Sequence, residues 1–193
     1  MIKKKTWIIM MLLFATLILS VGTASAQEED TAKLVENNKT LLILGCAIAV
    51  GMSGISAATG LAISGSAAVA VTAEKPDLFG KTIILQVLPM TQSVYGLLTA
   101  ILLMMGAGLL GGSPRADMTD PVIGLAAVWI GLVVGLTSIS AINQGMVASS
   151  SISAVGRNHD VAARGILYTI TTETMAIFGL LTGILLMTGL GLL

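Results

Sequence analysis

The sequence predicts an all-α membrane protein with four transmembrane helices arranged as two tandem helical hairpins. Three observations carry this. The 193-residue chain is 55% hydrophobic, and only 10% of its residues are charged. Four apolar stretches, 41–73, 82–112, 122–156 and 165–193, each exceed the ~20 residues that cross a bilayer as a helix. Finally, GLLTAILLMMGAGLL (96–110) aligns without a gap onto GLLTGILLMTGLGLL (179–193), a shift of 83 residues. That period is too long for a solenoid and suits a duplicated helical hairpin.

The elements follow in order. Residues 1–26 read as a signal peptide: Lys3, Lys4 and Lys5 form a basic region, 7–21 an apolar core, and Ala24-Ser25-Ala26 a small-residue cleavage site. An uncleaved extra helix is the alternative. Residues 27–40, with the acidic run Glu28, Glu29 and Asp30, form a short extracytoplasmic tail. The first transmembrane hairpin occupies 41–112 and the second 113–193. Four spans with the N-terminus outside place both termini outside, and the loops 74–81 and 157–164 in the cytoplasm. Those loops carry Lys75, Lys81, Arg157 and Arg164, in keeping with the positive-inside rule. Each repeat holds two spans, so the copies share one orientation, which excludes an inverted-repeat transporter plan.

Composition narrows the partners. Ten Lys and Arg balance ten Asp and Glu, so nothing favours nucleic acid, and lipid is the expected surrounding. Glycine is abundant, at 22 residues, and aromatics make up 4%. Small-residue helices pack backbone to backbone in a membrane. The first helix of each hairpin is of this kind (GMSGISAATGLAISGSAAVAV and SISAINQGMVASSSISAVG), and the second is bulkier. This asymmetry fits an inner and an outer ring of helices, or an ordinary tight four-helix bundle. Cys46 is the single cysteine and reads as a small packing residue. His159 reads as a solvated loop residue.

Glu173 is the one formally charged side chain within the four apolar stretches. A carboxylate at the centre of a membrane helix costs about 2.5–3.5 kcal/mol on insertion scales, and such residues mark ion or proton paths. The repeat places Met90 at the position of Glu173, so two structural copies share one acid. Near Met90, the first hairpin reads LPMTQSVYG. Leu88, Thr91, Gln92 and Tyr95 are spaced i, i+3, i+4, i+7 and share a helix face. Pro89 kinks that helix and removes a backbone donor. Gln144 adds a polar group in the third span, with Asn143 pointing elsewhere. A hydroxyl, two amide oxygens, a backbone carbonyl and a carboxylate can replace the hydration shell of a monovalent cation. The same polar groups can also serve as plain interhelical hydrogen bonds.

The pattern Pro-x-Thr-Gln-x-x-Tyr-Gly (89–96), Gln-Gly (144–145) and a mid-helix Glu-Thr (173–174) resembles the proteolipid (K or c) subunit of V-type and archaeal-type rotary ATPases. The likeness runs from about residue 41 to the end and is strongest to sodium-translocating members. It implies a homo-oligomeric rotor ring in the cell membrane, with Na⁺ held by the Leu88 backbone oxygen, Thr91, Gln92, Gln144 and Glu173. Tyr95 would be the hydrogen-bond partner of the carboxylate, and H⁺ is the alternative ion. It also implies a stator subunit bearing an arginine, and central-stalk subunits at loops 74–81 and 157–164. The chain would serve ATP hydrolysis or synthesis without being the catalytic part. No G-x-x-x-x-G-K-[ST] loop is present, so no nucleotide is bound by that route. The rival reading is a stand-alone ion-coupled carrier or channel using Glu173. A purely structural bundle is a third.

Overall fold

The computed structural model describes residues 31–193, and all regular structure among them is helical. The signal-like segment 1–26 lies outside the described residues. Helix α1 is Thr31–Glu74, α2 Phe79–Val87, α3 Thr91–Gly106, α4 Val122–Thr137, α5 Ser140–Arg157, α6 Ala162–Thr171 and α7 Thr174–Gly189. Helix α1 is the first span; α2 with α3, α4 with α5, and α6 with α7 form the other three. All four are long and apolar enough to cross a membrane, and the chain is a multi-pass membrane protein.

Helix α1 begins at Thr31, within the stretch expected to be a tail. Its first turns carry charge but are anchored by Asn38, which is fully buried. The Asn38 amide donates to the carbonyls of Met118 (2.9 Å) and Asp120 (2.8 Å) and accepts from the Gly124 N–H (3.1 Å). The 107–121 connection is thereby pinned to the first span. In the same connection Thr119 donates its hydroxyl and N–H to Asp117, holding that carboxyl below its usual range.

Three of the four spans are interrupted at corresponding levels. The second span tightens into a 3₁₀ turn at Leu88–Met90, where Pro89 supplies the cause. The third and fourth spans break at 138–139 and 172–173 without a proline. Back-bonded hydroxyls lie at both breaks. Ser138 donates to the Val134 carbonyl (2.7 Å), Ser140 lies 2.8 Å from that of Thr137, and Thr172 donates to that of Thr169 (2.7 Å). Such back-bonding competes with the helical ladder and bends it. The backbone responds with i→i−3 bonds, such as Glu173 N–H to the Ile170 carbonyl (3.0 Å).

The repeat recurs in the backbone. Gly108 and Gly191 both have positive φ, 70° and 71°. In each case the following N–H, of Leu109 or Leu192, bonds back five residues to Met104 or Met187 (2.9 Å each). This is a Schellman cap, and it ends the second helix of both hairpins.

The small-residue helices meet directly. A Cβ on Gly45 would strike the Ala127 carbonyl, one on Gly131 the backbone of Gly45, and one on Gly145 the backbone of Gly60. The first and third spans therefore touch backbone to backbone, as expected where lipid provides no hydrophobic drive between helices. Two apolar clusters result. One gathers Leu42, Leu103, Ile130 and Met187; the other gathers Leu78, Leu85, Ile152 and Val155. In every span after the first, the break falls between the two, and the polar groups collect at that level.

Candidate functional site

Glu173 sits at the break of the fourth span and is the N-cap residue of α7. Its residue is 8% exposed. The Tyr95 hydroxyl donates to Glu173 Oε1, and Gln144 Nε2 donates to Oε2 at 3.4 Å. Gln92 Nε2 donates to Gln144 Oε1 at 3.0 Å. Ser140 Oγ lies 3.1 Å from Gln92 Oε1 and 2.8 Å from the Thr137 carbonyl. The result is one polar chain, Ser140–Gln92–Gln144–Glu173, that links the second, third and fourth spans. Both glutamines are fully buried, and no buried side-chain nitrogen or oxygen among the described residues lacks a partner.

The sequence-predicted residues fall into two groups. Gln92, Tyr95, Gln144 and Glu173 are joined by the bonds above. Leu88 and Thr91 are joined to each other: the Leu88 carbonyl accepts from the Thr91 hydroxyl (2.9 Å) and from its N–H. Pro89 is buried in the 3₁₀ turn that joins them. Thr91 and Tyr95 are one turn apart on α3, which sets the hydroxyl and its carbonyl along the face that carries the carboxylate contact. Asn143 is exposed, away from this face. Ser140 is the residue that sequence reasoning missed. Its signal was its i, i+4 spacing from Gln144.

The electrostatics are plain. The acid–base side-chain contact found among the described residues, His159 with Asp160, lies in an exposed loop. Glu173 thus has no cationic side chain within salt-bridge reach among those residues. Its partners are a phenol and an amide, both neutral donors. A buried charge needs pairing, protonation or a bound cation, and the same level of the bundle holds the amide oxygens of Gln92 and Gln144, the hydroxyls of Thr91, Tyr95 and Ser140, and the Leu88 carbonyl. These are ligands for a hard cation.

Two apolar hairpins sharing one buried carboxylate, bonded to a phenol and an amide, define a multi-pass membrane protein with a single acid at mid-span. Comparison with known proteins gives the family. The sequence matches the ATP synthase C-subunit family twice, over residues 44–103 and 128–186, once in each hairpin. It is 40% identical over 72% of its length to an A-type ATP synthase subunit K of Methanocaldococcus jannaschii, covering 60% of that protein. It is 36% identical over 75% of its length to a V-type sodium ATPase subunit K of Enterococcus hirae, covering 88% of it. A V-type proton ATPase 16 kDa proteolipid subunit of Chrysotila carterae is 31% identical over 74% of this chain and 87% of its own. The chain belongs to the ATP synthase C-subunit family.

Proposed function

We propose that this chain is a rotor-ring proteolipid of an A/V-type rotary ATPase, carrying one cation per subunit at Glu173. The carrying observation is a carboxylate buried at mid-span with only neutral hydrogen-bond donors. In lipid such a group must travel neutral, so it moves with Na⁺ or H⁺. Opposite a stator arginine it can release the cation and stay charged. The two subunit K relatives support the reading, since one is named for an ATP synthase and the other for a sodium ATPase.

Sodium is the preferred cargo. A proton needs one oxygen, whereas Thr91, Gln92, Gln144 and the Leu88 carbonyl offer several more at the level of the breaks. With Na⁺ bound, the two amide oxygens coordinate the ion, Gln92 Oε1 keeping Ser140 as its second partner, and the Tyr95 hydroxyl holds the carboxylate in the loaded geometry. The loops 74–81 and 157–164 meet the central stalk from the cytoplasm, with both termini outside. The first span enters the membrane near residue 41, within α1, and 1–26 is a signal segment.

Carbodiimide labelling in purified complex tests this. Glu173 is the expected site of modification, and millimolar Na⁺ at fixed pH is expected to suppress it. Labelling that ignores Na⁺ would sink the sodium reading and leave the proton. Glu173→Gln is expected to abolish ion-coupled ATP hydrolysis while the ring still assembles; substantial coupled activity in that variant would overturn the assigned role of Glu173.

A further inference from the structure

The third span carries a break that the first span lacks. Helix α1 runs unbroken from Thr31 to Glu74, whereas the third span stops at Thr137 and resumes at Ser140. The repeat places matching serines at this level. A Cβ on Gly96 would strike the Ser53 hydroxyl, and one on its counterpart Gly179 would strike the Thr137 hydroxyl. The first helices of the two hairpins therefore correspond at a shift of 84 residues, which pairs Ser56 with Ser140. The two serines are bonded differently. Ser56 donates within its own helix, to the carbonyls of Met52 and Ser53. Ser140 lies 2.8 Å from the Thr137 carbonyl and also 3.1 Å from Gln92 Oε1, on another span. The positions that match Gln92 and Gln144 are Met175 and Gly60, so the first copy has no amide for Ser56 to hold.

We infer that Ser140 is a positioning residue that sets the ion selectivity of the site by fixing the Gln92 amide oxygen. The last side-chain torsion of glutamine is broad, without three sharp wells, so the amide keeps one orientation when both of its ends are bonded. Gln92 is bonded at both. Its Oε1 accepts from Ser140, and its Nε2 donates to Gln144 Oε1 at 3.0 Å. Each oxygen of the two amides has two lone pairs: one serves this chain of bonds, and the other is free for a cation. Ser140 thereby places Gln92 Oε1 directly and Gln144 Oε1 through it. Both glutamines are 0% exposed, so solvent offers no replacement partner.

Oxygens held in place favour the cation whose radius matches the space between them. An amide released at its oxygen end swings inward or outward, and the cage then accepts a misfitting ion almost as well. The break in the third span supplies the geometry. Ser140 is the first residue of α5, and the break turns its hydroxyl from the helix ladder towards the second span. The inference deepens the cation reading above and rests on it for the identity of the ligands.

Carbodiimide protection by two ions tests the assignment. In purified wild-type ring, half-protection of Glu173 is expected to need more Li⁺ than Na⁺. In Ser140→Ala the Na⁺ requirement is expected to rise more than the Li⁺ requirement. The Li⁺-to-Na⁺ ratio then falls by roughly two- to tenfold, the span of one neutral hydrogen bond. Ser56→Ala removes the counterpart hydroxyl and is expected to keep the wild-type ratio. Ser140→Thr and Ser140→Val share one shape and differ in the hydroxyl; the first is expected to keep the ratio and the second to lose it. That pair carries the test if native mass shows that the alanine variant does not assemble. A wild-type ratio in Ser140→Ala or Ser140→Val overturns the proposal, and so does an equal loss in Ser56→Ala. The two readings fail separately: a wild-type ring that Na⁺ does not protect overturns the sodium reading and this inference with it, whereas Na⁺ protection with an unchanged ratio in the variants overturns the role of Ser140 alone.

Discussion

At the residue scale, the charge at Glu173 was legible because one acid in an apolar helix has few explanations. Its hydrogen-bond partner Tyr95 was legible because it shares a helical face with another rare polar group, Gln92. Ser140 was not, because LTSIS offers several hydroxyls and hydroxyls in apolar helices usually bond their own carbonyls. Ser140 does both: it lies within hydrogen-bond distance of the Thr137 carbonyl and of Gln92 Oε1. It therefore holds the Gln92 amide in one orientation, which fixes Gln144 and through it Glu173. A neutral hydrogen bond of this kind contributes ~1 kcal/mol, close to a fivefold to tenfold change in an equilibrium constant. Ser140→Ala is thus expected to raise, by roughly that factor, the Na⁺ concentration that protects Glu173 from carbodiimide, with the ring intact. Ser140→Thr keeps the hydroxyl and is expected to restore protection. Unchanged protection in the alanine variant would make Ser140 a bystander.

At the scale of elements, the four spans and the proline kink were legible from length, hydropathy and Pro89. The breaks at 138–139 and 172–173 were not, since no proline or glycine marks them and a run of threonines is a weak breaker by itself. Their cause is collective. Back-bonded hydroxyls in TSIS and TITTET accumulate at the level where the neighbouring span is kinked. The early start of α1 was hidden for a related reason: Asn38 is a polar residue whose partners lie some eighty positions further on, and no local pattern reveals them. The tight pairing of the first and third spans was implied by their small residues, and its geometry makes a graded prediction. Gly145→Ala places a methyl against the Gly60 backbone, so the helices must separate. Gly80→Ala meets nothing within 4 Å. Thermal denaturation of the purified ring is expected to show a clear loss for Gly145→Ala, about 1–3 kcal/mol as for overpacked cores, and no loss for Gly80→Ala. Equal behaviour of the two would refute the close contact.

At the scale of the whole molecule, the duplication explains the most. It gives two hairpins of one design, with one set of polar groups, and it assigns those groups to the interface inside the chain. Lys75 and Lys81 reinforce that interface at one end, donating to the carbonyls of Gly156 (2.5 Å) and His159 (3.4 Å) across the hairpins. The ion capacity of the assembly then follows from counting interfaces. A ring of n chains has 2n hairpin contacts, of which n contain Glu173 and n contain Met90. Each chain should therefore bind one Na⁺, although it has the length of two single-hairpin units. Radioactive sodium binding to purified ring, referred to a chain count from native mass, is expected to give one ion per chain, saturable and lost in Glu173→Gln. Two ions per chain would require a site at the Met90 contact, which offers no carboxylate. The same duplication predicts how capacity could rise. Met90→Glu combined with Met175→Gln and Phe178→Tyr rebuilds the carboxylate, amide and phenol at the second contact, and a second carbodiimide-reactive carboxylate protected by Na⁺ is its expected signature.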